Sequence, residues 1–395
     1  MSGTSLDGID AVLVDLGGTR PRLLEKHYTP FDDALRNELL ALHQPCHDEL
    51  QRAQLTGNRL AQLYAASIKA LLGTANGHGK FFAPDNKTCH DRFPLSNFPP
   101  QAGERANESL CEFHVNASSA EIRAIGCHGQ TIRHRPEQGY TLQIGNAALL
   151  AELTGIAVVG DFRSRDIAAG GQGAPLVPAF HDKVLRHATA HRTIVNIGGI
   201  ANLTNLPPGL PATGFDCGPG NMLMDAWCMR HLGKPYDDNG AWAASGKLLP
   251  AVLERMFEEP FFALPPPKSS GRDLFGMEWL NGKLTGGELA QDVQATLLEL
   301  TCRSIAQAIR QHCVGATEIY LCGGGAHNAT LRARLAALLP DSSVQTTDVL
   351  GVDGDYLEAI AFAWLAQQAL HGKPANLPTV TGAHHPCVLG AIYQA

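Results

Sequence analysis

The stretch RTIVNIGGIANLTNL, residues 192–206, decides the fold. Two β-rich runs flank Gly198-Gly199, and the pair reads as a hairpin turn whose backbone can approach a ligand closely. GFDCGPG follows at 214–220 and opens directly into the helical NMLMDAWCMR. Working outward, the same arrangement recurs. The opening turn Gly3-Thr4-Ser5-Leu6-Asp7-Gly8 leads through Ile9 and Asp10 into AVLVDL, and a second apolar stretch at Leu23 to Tyr28 completes a hairpin. Late in the chain, EIYLC ends on Gly323-Gly324-Gly325. Strands alternating with helices point to an α/β fold.

Helical spacing of leucines runs from Asp33 to Leu72 through Leu39, Leu40, Leu55, Leu60, Leu63 and Leu71. IRAIGCHG, YTLQIGN and IAVVGDF read as strands, and Asn146 is placed to cap the helix AALLAEL. Further helices are expected from Glu288 to His312, from Asn328 to Leu339 and over YLEAIAFAWLAQQAL. Residues 73–115 have no usable period and read as a surface insertion. Cys89, His90, Cys111 and His114 lie within it, but pairs this far apart in a loop do not define a zinc site.

A chain of 395 residues exceeds what one hydrophobic core supports, so two lobes are expected. A net charge of -7 argues against general nucleic-acid binding, which needs a basic surface. The 10 cysteines follow no regular framework, as suits free thiols in a reducing compartment. No apolar run reaches the roughly 18 residues of a membrane span, and MSGTSLDG lacks the regions of a signal peptide. A soluble cytoplasmic protein acting on small molecules is expected, without nucleic-acid or membrane partners.

The sequence holds neither a P-loop nor a G-x-G-x-x-G fingerprint. A single glycine turn is ordinarily only a turn; three of them, with hydroxyl and acidic side chains nearby, favour a nucleotide. Asp216 is the candidate catalytic carboxylate, at a strand end where α/β sheets face their crevice. A capping role is the alternative, although Asn221 is better placed to cap the following helix. His128, Gln130 and Thr131 in GCHGQTIRH suit hydrogen bonding to a sugar. Arg163, Arg165 and Asp166 precede another glycine run and offer an arginine for a carboxylate. Glu358 sits among Leu357, Ile360 and Phe362, where a buried carboxylate needs a partner.

MSGTSLDGID, GCHGQTIRH, GDFRSRDIAAGGQGAPLVPAFH, NIGGIAN, GFDCGPGN, PKSSGRD, LCGGGAHN and TGAHHPCVLGA stand in the order and approximate spacing of the anhydro-N-acetylmuramic acid kinases, which this sequence resembles over nearly its whole length. The resemblance implies a two-lobed actin-like ATPase fold, related to ribonuclease H, with mixed central sheets and a cleft between the lobes. It implies an N-terminal lobe of 1–162 plus about 373–395, carrying the 73–115 insertion, and a C-terminal lobe of 163–372. Gly3 to Asp10 and Gly198, Gly199 and Asn202 would face the phosphates of ATP. Gly323 to Gly325 would face its nucleoside, and Asp7 or Asp10 would hold Mg2+ through water.

The implied reaction takes 1,6-anhydro-N-acetylmuramic acid, ATP and water to N-acetylmuramic acid 6-phosphate and ADP in peptidoglycan recycling. Asp216 would activate the water, with His128, Gln130, Arg165 and Glu358 around the sugar, and Lys268, Ser269 and Arg272 of PKSSGRD near the cleft. The family also implies a homodimer. Two features depart from its pattern: a short apolar strand that usually precedes MSGTS is missing here, and the 73–115 segment is longer. The rival expectations are a kinase for an ordinary hexose or amino sugar, and a nucleotide-gated binding or chaperone ATPase.

Overall fold

The computed structural model describes residues 6–75, 81–82, 120–271 and 274–395. Gly3, Thr4, Ser5, Arg272 and the four cysteine and histidine positions of the insertion lie outside them.

Strands β1 (Gly8–Asp15) and β2 (Arg22–Pro30) form the expected antiparallel hairpin. The helical run that follows is two helices, α1 (Asp33–Leu42) and α2 (Glu49–Ala75), where the leucine spacing alone predicts one. Pro45 lies in the break and cannot donate a helical hydrogen bond, so periodicity continues across a point that the backbone cannot. Asp32 caps α1 by accepting from the Leu35 amide at 2.7 Å. A short parallel pair, β3 (Phe81–Phe82) and β4 (Ala120–Glu121), precedes β5 (Ile125–Gly126) and the hairpin β6 (Gln130–Arg135) with β7 (Tyr140–Ile144). Next come α3 (Ala147–Thr154), capped by Asn146 as expected, β8 (Val158–Gly160), α4 (Ser164–Ala168) and α5 (Val177–Leu185).

The stretch that opens the sequence argument becomes β9 (Arg192–Ile197) and β10 (Ile200–Leu206), and β11 (Thr213–Pro219) pairs alongside. Helices α6 (Met222–Leu232), α7 (Ala241–Ser245), α8 (Pro250–Phe257), α9 (Met277–Lys283) and α10 (Ala290–His312) lead to β12 (Glu318–Cys322). Then α11 (Ala329–Leu338), β13 (Ser343–Thr346), α12 (Leu357–Leu370), α13 (Pro378–Thr381) and β14 (Ala391–Tyr393) complete the chain.

The five-stranded sheet has the order β11-β10-β9-β12-β13. Its first three strands form an antiparallel meander, while β12 and β13 run parallel to β9. A meander of three strands extended by two parallel ones on the side of its first strand is the ribonuclease H-like arrangement on which actin-like lobes are built. One face of this sheet, through Val195, Ile197, Ala201, Leu203 and Phe215, packs on Leu223, Trp227, Val293 and Leu297 of α6 and α10. On the other face, Ile194, Leu206 and Cys322 join Phe180 of α5 and Leu357, Ile360, Phe362 and Leu365 of α12. Burying each such leucine or phenylalanine contributes roughly 1.5–3 kcal/mol. α12 also packs against β1, β5, β8 and β14, so it ties the five-stranded sheet to the strands near both ends of the chain. β14 pairs antiparallel with β8, which pairs parallel with β5.

Candidate functional site

The site is built on one row of the sheet. Asn196 of β9 lies opposite Asn202 of β10, and Asn202 lies opposite Asp216 of β11, so all three share one face. Their neighbours along each strand, such as Val195, Leu203 and Phe215, point into the core. The row therefore collects polar side chains at the end of the sheet marked by the Gly198-Gly199 turn and by the C-terminus of β12. In open α/β folds, ligands bind at such strand ends. Cys217 is the extra residue of a β-bulge, since Ala201 pairs with Gly218 while Asn202 pairs with Asp216. Bulges re-aim the side chains beside them.

Asp216 is clamped by the PKSSGRD segment. Its amide donates to the Lys268 carbonyl at 3.0 Å, and its Oδ2 accepts from the Ser270 amide at 2.8 Å. Burial pushes its carboxyl up to about 6, against the opposing pull of the Ser270 hydrogen bond and the Lys268 charge. Lys268 itself is drawn aside: Nζ donates to the Phe261 carbonyl at 3.1 Å and sits 4.6 Å over the Phe261 ring. The expected cap at Asn221 takes a different form. Asn221 occupies the N-cap position of α6, but its Nδ2 donates to the Ile197 carbonyl at 3.2 Å instead of its oxygen capping the helix. That bond ties the helix start to the glycine turn.

Glu358, on the first turn of α12, accepts from Asn196 Nδ2 at 3.2 Å and so joins the row. Burial raises its carboxyl above the ordinary range, opposed first by the Arg163 charge and then by the Asn196 bond. Arg163 reaches the same place from the N-terminal end of α4. Its Nε and Nη2 lie 3.1 and 2.8 Å from His128 Nε2, and its Nη1 donates to the Gly173 carbonyl at 2.8 Å. His128 Nδ1 is 2.7 Å from the Gly129 carbonyl. An acceptor on one side and a cation on the other fix the tautomer: Nδ1 carries the proton and Nε2 receives. Burial and Arg163 hold His128 well below the usual imidazole range, hence neutral.

Other expected site residues are placed as follows. Leu6 is buried, Asp7 is exposed, and Gly8 packs so tightly on Thr29 and Tyr28 that a side chain would not fit. Ile9 is a core residue, so only its backbone can face a ligand. Asp10 is half-buried, and its carboxyl is raised to about 6 by burial and by Asp7, Glu358 and Asp355, against an opposing pull from the N-terminal charge. Gln130 is only 1% exposed, and its Oε1 has no hydrogen-bond partner. Arg165 is exposed, and its carbonyl accepts from Cys387 Sγ at 3.8 Å. Asp166 is fully buried, accepting from the Gly173 amide at 2.8 Å, Asn376 Nδ2 at 2.7 Å and Thr381 Oγ1 at 2.8 Å.

Gly198 is half-buried and Gly199 exposed, and a Cβ on either would meet only ordinary contacts. Gly323 is different. Its φ is +77°, and a Cβ there would collide with Asn196 Oδ1, so glycine is what leaves Asn196 free to reach Glu358. Gly324 is exposed; Gly325 is buried against Ile197 and Asn221. Asn196 and the Ser270 amide are the contributors that sequence reasoning missed. The near-mirror placement of Asn196 and Asn202 about the glycine pair was the available signal for the first.

A family model described as anhydro-N-acetylmuramic acid kinase matches residues 1–83 and 101–395. The chain belongs to the anhydro-N-acetylmuramic acid kinase family. Residues 84–100, which the match leaves out, fall inside the segment expected to be an insertion. The anhydro-N-acetylmuramic acid kinase of Nitrosospira multiformis is 53% identical over 100% of this chain and 98% of its own length. That of Thiobacillus denitrificans is 52% identical over 100% of this chain and 96% of its own. Among solved structures, the activator of the 2-hydroxyisocaproyl-CoA dehydratase from Clostridium difficile with bound ADPNP covers 59% of this chain and 88% of its own at 14% identity, with a TM-score of 0.33, a likeness that carries no weight for fold or function. Within the anhydro-N-acetylmuramic acid kinase family, the polar row of this sheet supplies the residues to which a chemistry can be assigned. Among the described residues no helix is long and apolar enough to cross a membrane. The eight described cysteines are free.

Proposed function

We infer that the chain is an ATP-dependent phosphotransferase that converts 1,6-anhydro-N-acetylmuramic acid, ATP and water to N-acetylmuramic acid 6-phosphate and ADP, in the recycling of peptidoglycan. The observation that carries the mechanism is Asp216. It is a cleft carboxylate held by one oxygen and tuned toward neutral pH, as a general base should be. Oδ2 is engaged by the Ser270 amide, which leaves Oδ1 to take a proton from water. The water oxygen bonds to the anomeric carbon as the bond from that carbon to the bridging 6-oxygen breaks. The 6-oxygen takes the γ-phosphoryl group as the bond to the ADP oxygen breaks, and Asp216 keeps the proton. Phosphorus replaces the proton that a plain hydrolysis would require on the leaving oxygen.

Glycine at 198 and 199 is demanded neither by packing nor by a left-handed backbone, which supports their backbone lying against the phosphates. Asn202, beside them, can donate to the same oxygens, while Gly323, Gly324 and Gly325 border the nucleoside. Asp7 and Asp10 fit a hydrated magnesium ion. Asp10 stands in the field of Asp7, Glu358 and Asp355, a concentration of carboxylates that a cation relieves, and among the described residues no three such ligands gather tightly enough for direct coordination. When bound, Mg2+ supplies charge neutralisation on the transferring phosphate. Gln130, with its unpartnered buried oxygen, is suited to accept from a sugar hydroxyl, and Glu358 to accept from another. Arg165, exposed on α4, is free to contact the sugar's carboxylate. The lobe boundaries 1–162 with 373–395, and 163–372, a cytoplasmic location and a homodimer are parts of the same proposal.

Asp216→Asn tests the assignment. Loss of the base is expected to lower kcat on the order of a thousandfold. Normal product formation by this variant would exclude Asp216 as the base.

A further inference from the structure

The clamp on Asp216 uses only the backbone of Ser270. Its side chain is a separate matter: Oγ is buried and, among the described residues, has no hydrogen-bond partner. Buried hydroxyls in native folds are ordinarily paired, so one left over is a place for a ligand. Its position narrows the choice. Oγ is three bonds from the amide nitrogen that lies 2.8 Å from Asp216 Oδ2, and every staggered rotamer keeps it roughly 3–4 Å from that nitrogen. The hydroxyl is therefore held beside the carboxylate, within reach of a small molecule bound to Oδ1.

The segment that carries it is anchored on both sides. Before Ser270, the Lys268 carbonyl accepts from the Asp216 amide at 3.0 Å, and Lys268 Nζ donates to the Phe261 carbonyl at 3.1 Å. After it, the Gly271 carbonyl accepts from the Leu274 and Phe275 amides at 3.2 and 3.0 Å. Phe275 is fully buried and packs edge-on against Phe261 and Trp279, with ring centroids 5.5 and 5.2 Å away. The freedom left to Ser270 is the rotation of its own side chain.

A water that attacks carbon must turn a lone pair toward that carbon, and both of its hydrogens must then be received elsewhere. Asp216 Oδ1, acting as the base, takes one. The other needs a second acceptor, and a serine oxygen with two lone pairs is one. Two acceptors that share a water stand about 4–5 Å apart, a spacing that the clamp allows between Oγ and Oδ1.

We propose that Ser270 is the second acceptor for the attacking water, its Oγ receiving the hydrogen that Asp216 does not and so aiming the water's lone pair at the anomeric carbon. This rests on the reading of Asp216 as the base. No bond to Ser270 forms or breaks. The proton that leaves the water goes to Asp216 Oδ1, and the hydrogen that Ser270 receives stays on the oxygen as the new anomeric hydroxyl.

Ser270→Ala is the test, because it removes the hydroxyl and keeps the amide that clamps Asp216. With ATP and 1,6-anhydro-N-acetylmuramic acid, the single-turnover rate of sugar phosphate formation is expected to fall about tenfold, the scale of one neutral hydrogen bond made in the reacting arrangement. KM for both substrates and the unfolding midpoint in denaturant are expected to stay at their wild-type values. Ser270→Thr, which restores a hydroxyl, is expected to recover most of the rate. An undiminished rate in Ser270→Ala overturns the proposal. So does a raised KM for the sugar at an unchanged rate, which would make Oγ a sugar contact, and so does a folded threonine variant no faster than alanine. Should Ser270→Ala fail to fold, Ser270→Gly removes the same hydroxyl and is judged by the same rate. A wild type that does not turn over the anhydro sugar refutes the functional reading, and the proposal falls with it; a wild type that does, beside an undiminished Ser270→Ala, refutes the proposal alone.

Discussion

Asp216 is under two opposed demands. Burial disfavours its charge and the proposed base role requires it; the carboxyl rests at about 6, with one backbone hydrogen bond and a nearby ammonium limiting the rise. Two outcomes follow at this scale. Since the base must be ionised, kcat/KM of the wild type should fall about tenfold per pH unit below about 6 and level off above it; a profile flat to pH 4.5 would contradict this. The linkage sign is set by a folded pKa above the unfolded one. The protonated form is favoured in the folded state, and the cost of the charge develops as pH rises from the unfolded value of 3.8 to about 6 and persists above. Asp216→Asn, slowed on the order of a thousandfold, should therefore be more stable at pH 7.5, by on the order of 1–3 kcal/mol, read from denaturant unfolding. Asp216 itself was legible in GFDCGPG, because motif and strand end coincide within a few residues. Its clamp was not, since the Ser270 amide comes from 54 positions away and backbone groups leave no mark in a sequence.

At the scale of elements, the glycine turns look alike as letters and differ as structures. Gly325 is wedged between Ile197 and Asn221, whereas Gly198 has room for a methyl group. Gly325→Ala should lower stability by about 1–3 kcal/mol, the usual cost of overpacking. Gly198→Ala should melt with the wild type but raise KM for ATP several-fold, because its added carbon would point at phosphate instead of protein. A destabilised Gly198→Ala with unchanged KM would show that turn to be structural only. The strands and most helices could be read from period and turn residues, including the cap at Asn146. The one helix expected from Asp33 to Leu72 is two because periodicity reports which face is buried and not where the backbone stays continuous. Arg163 and Arg165 are two letters apart in one motif; the start of α4 sends one, half-buried, to His128 and leaves the other exposed.

Across the whole molecule, the cleft is assembled from residues that no local pattern connects. Asn196 and Glu358 are 162 positions apart, and Asp166 joins the loop after α4 to Asn376 and Thr381, more than 200 positions on. Sheet order likewise depends on which strands pair, and the motifs fix only that strands exist. Asp166→Ala should leave the Gly173 amide without an acceptor and Asn376 Nδ2 and Thr381 Oγ1 with only their longer bonds to the His385 and Leu377 carbonyls, at a cost of roughly 1–3 kcal/mol, seen as a lower unfolding midpoint for the entire chain. A loss below about 0.5 kcal/mol would mean that the C-terminal segment is not held through this carboxylate. What the assembled cleft is for reduces to one claim: water and phosphate are added to the same sugar in a single turnover. The direct measurement is to run the reaction with ATP and 1,6-anhydro-N-acetylmuramic acid in oxygen-18 water, under conditions that prevent later exchange at the anomeric centre. The account predicts N-acetylmuramic acid 6-phosphate carrying one heavy oxygen on the anomeric carbon and none in the phosphate. A phosphorylated sugar with no heavy oxygen at that carbon would contradict it.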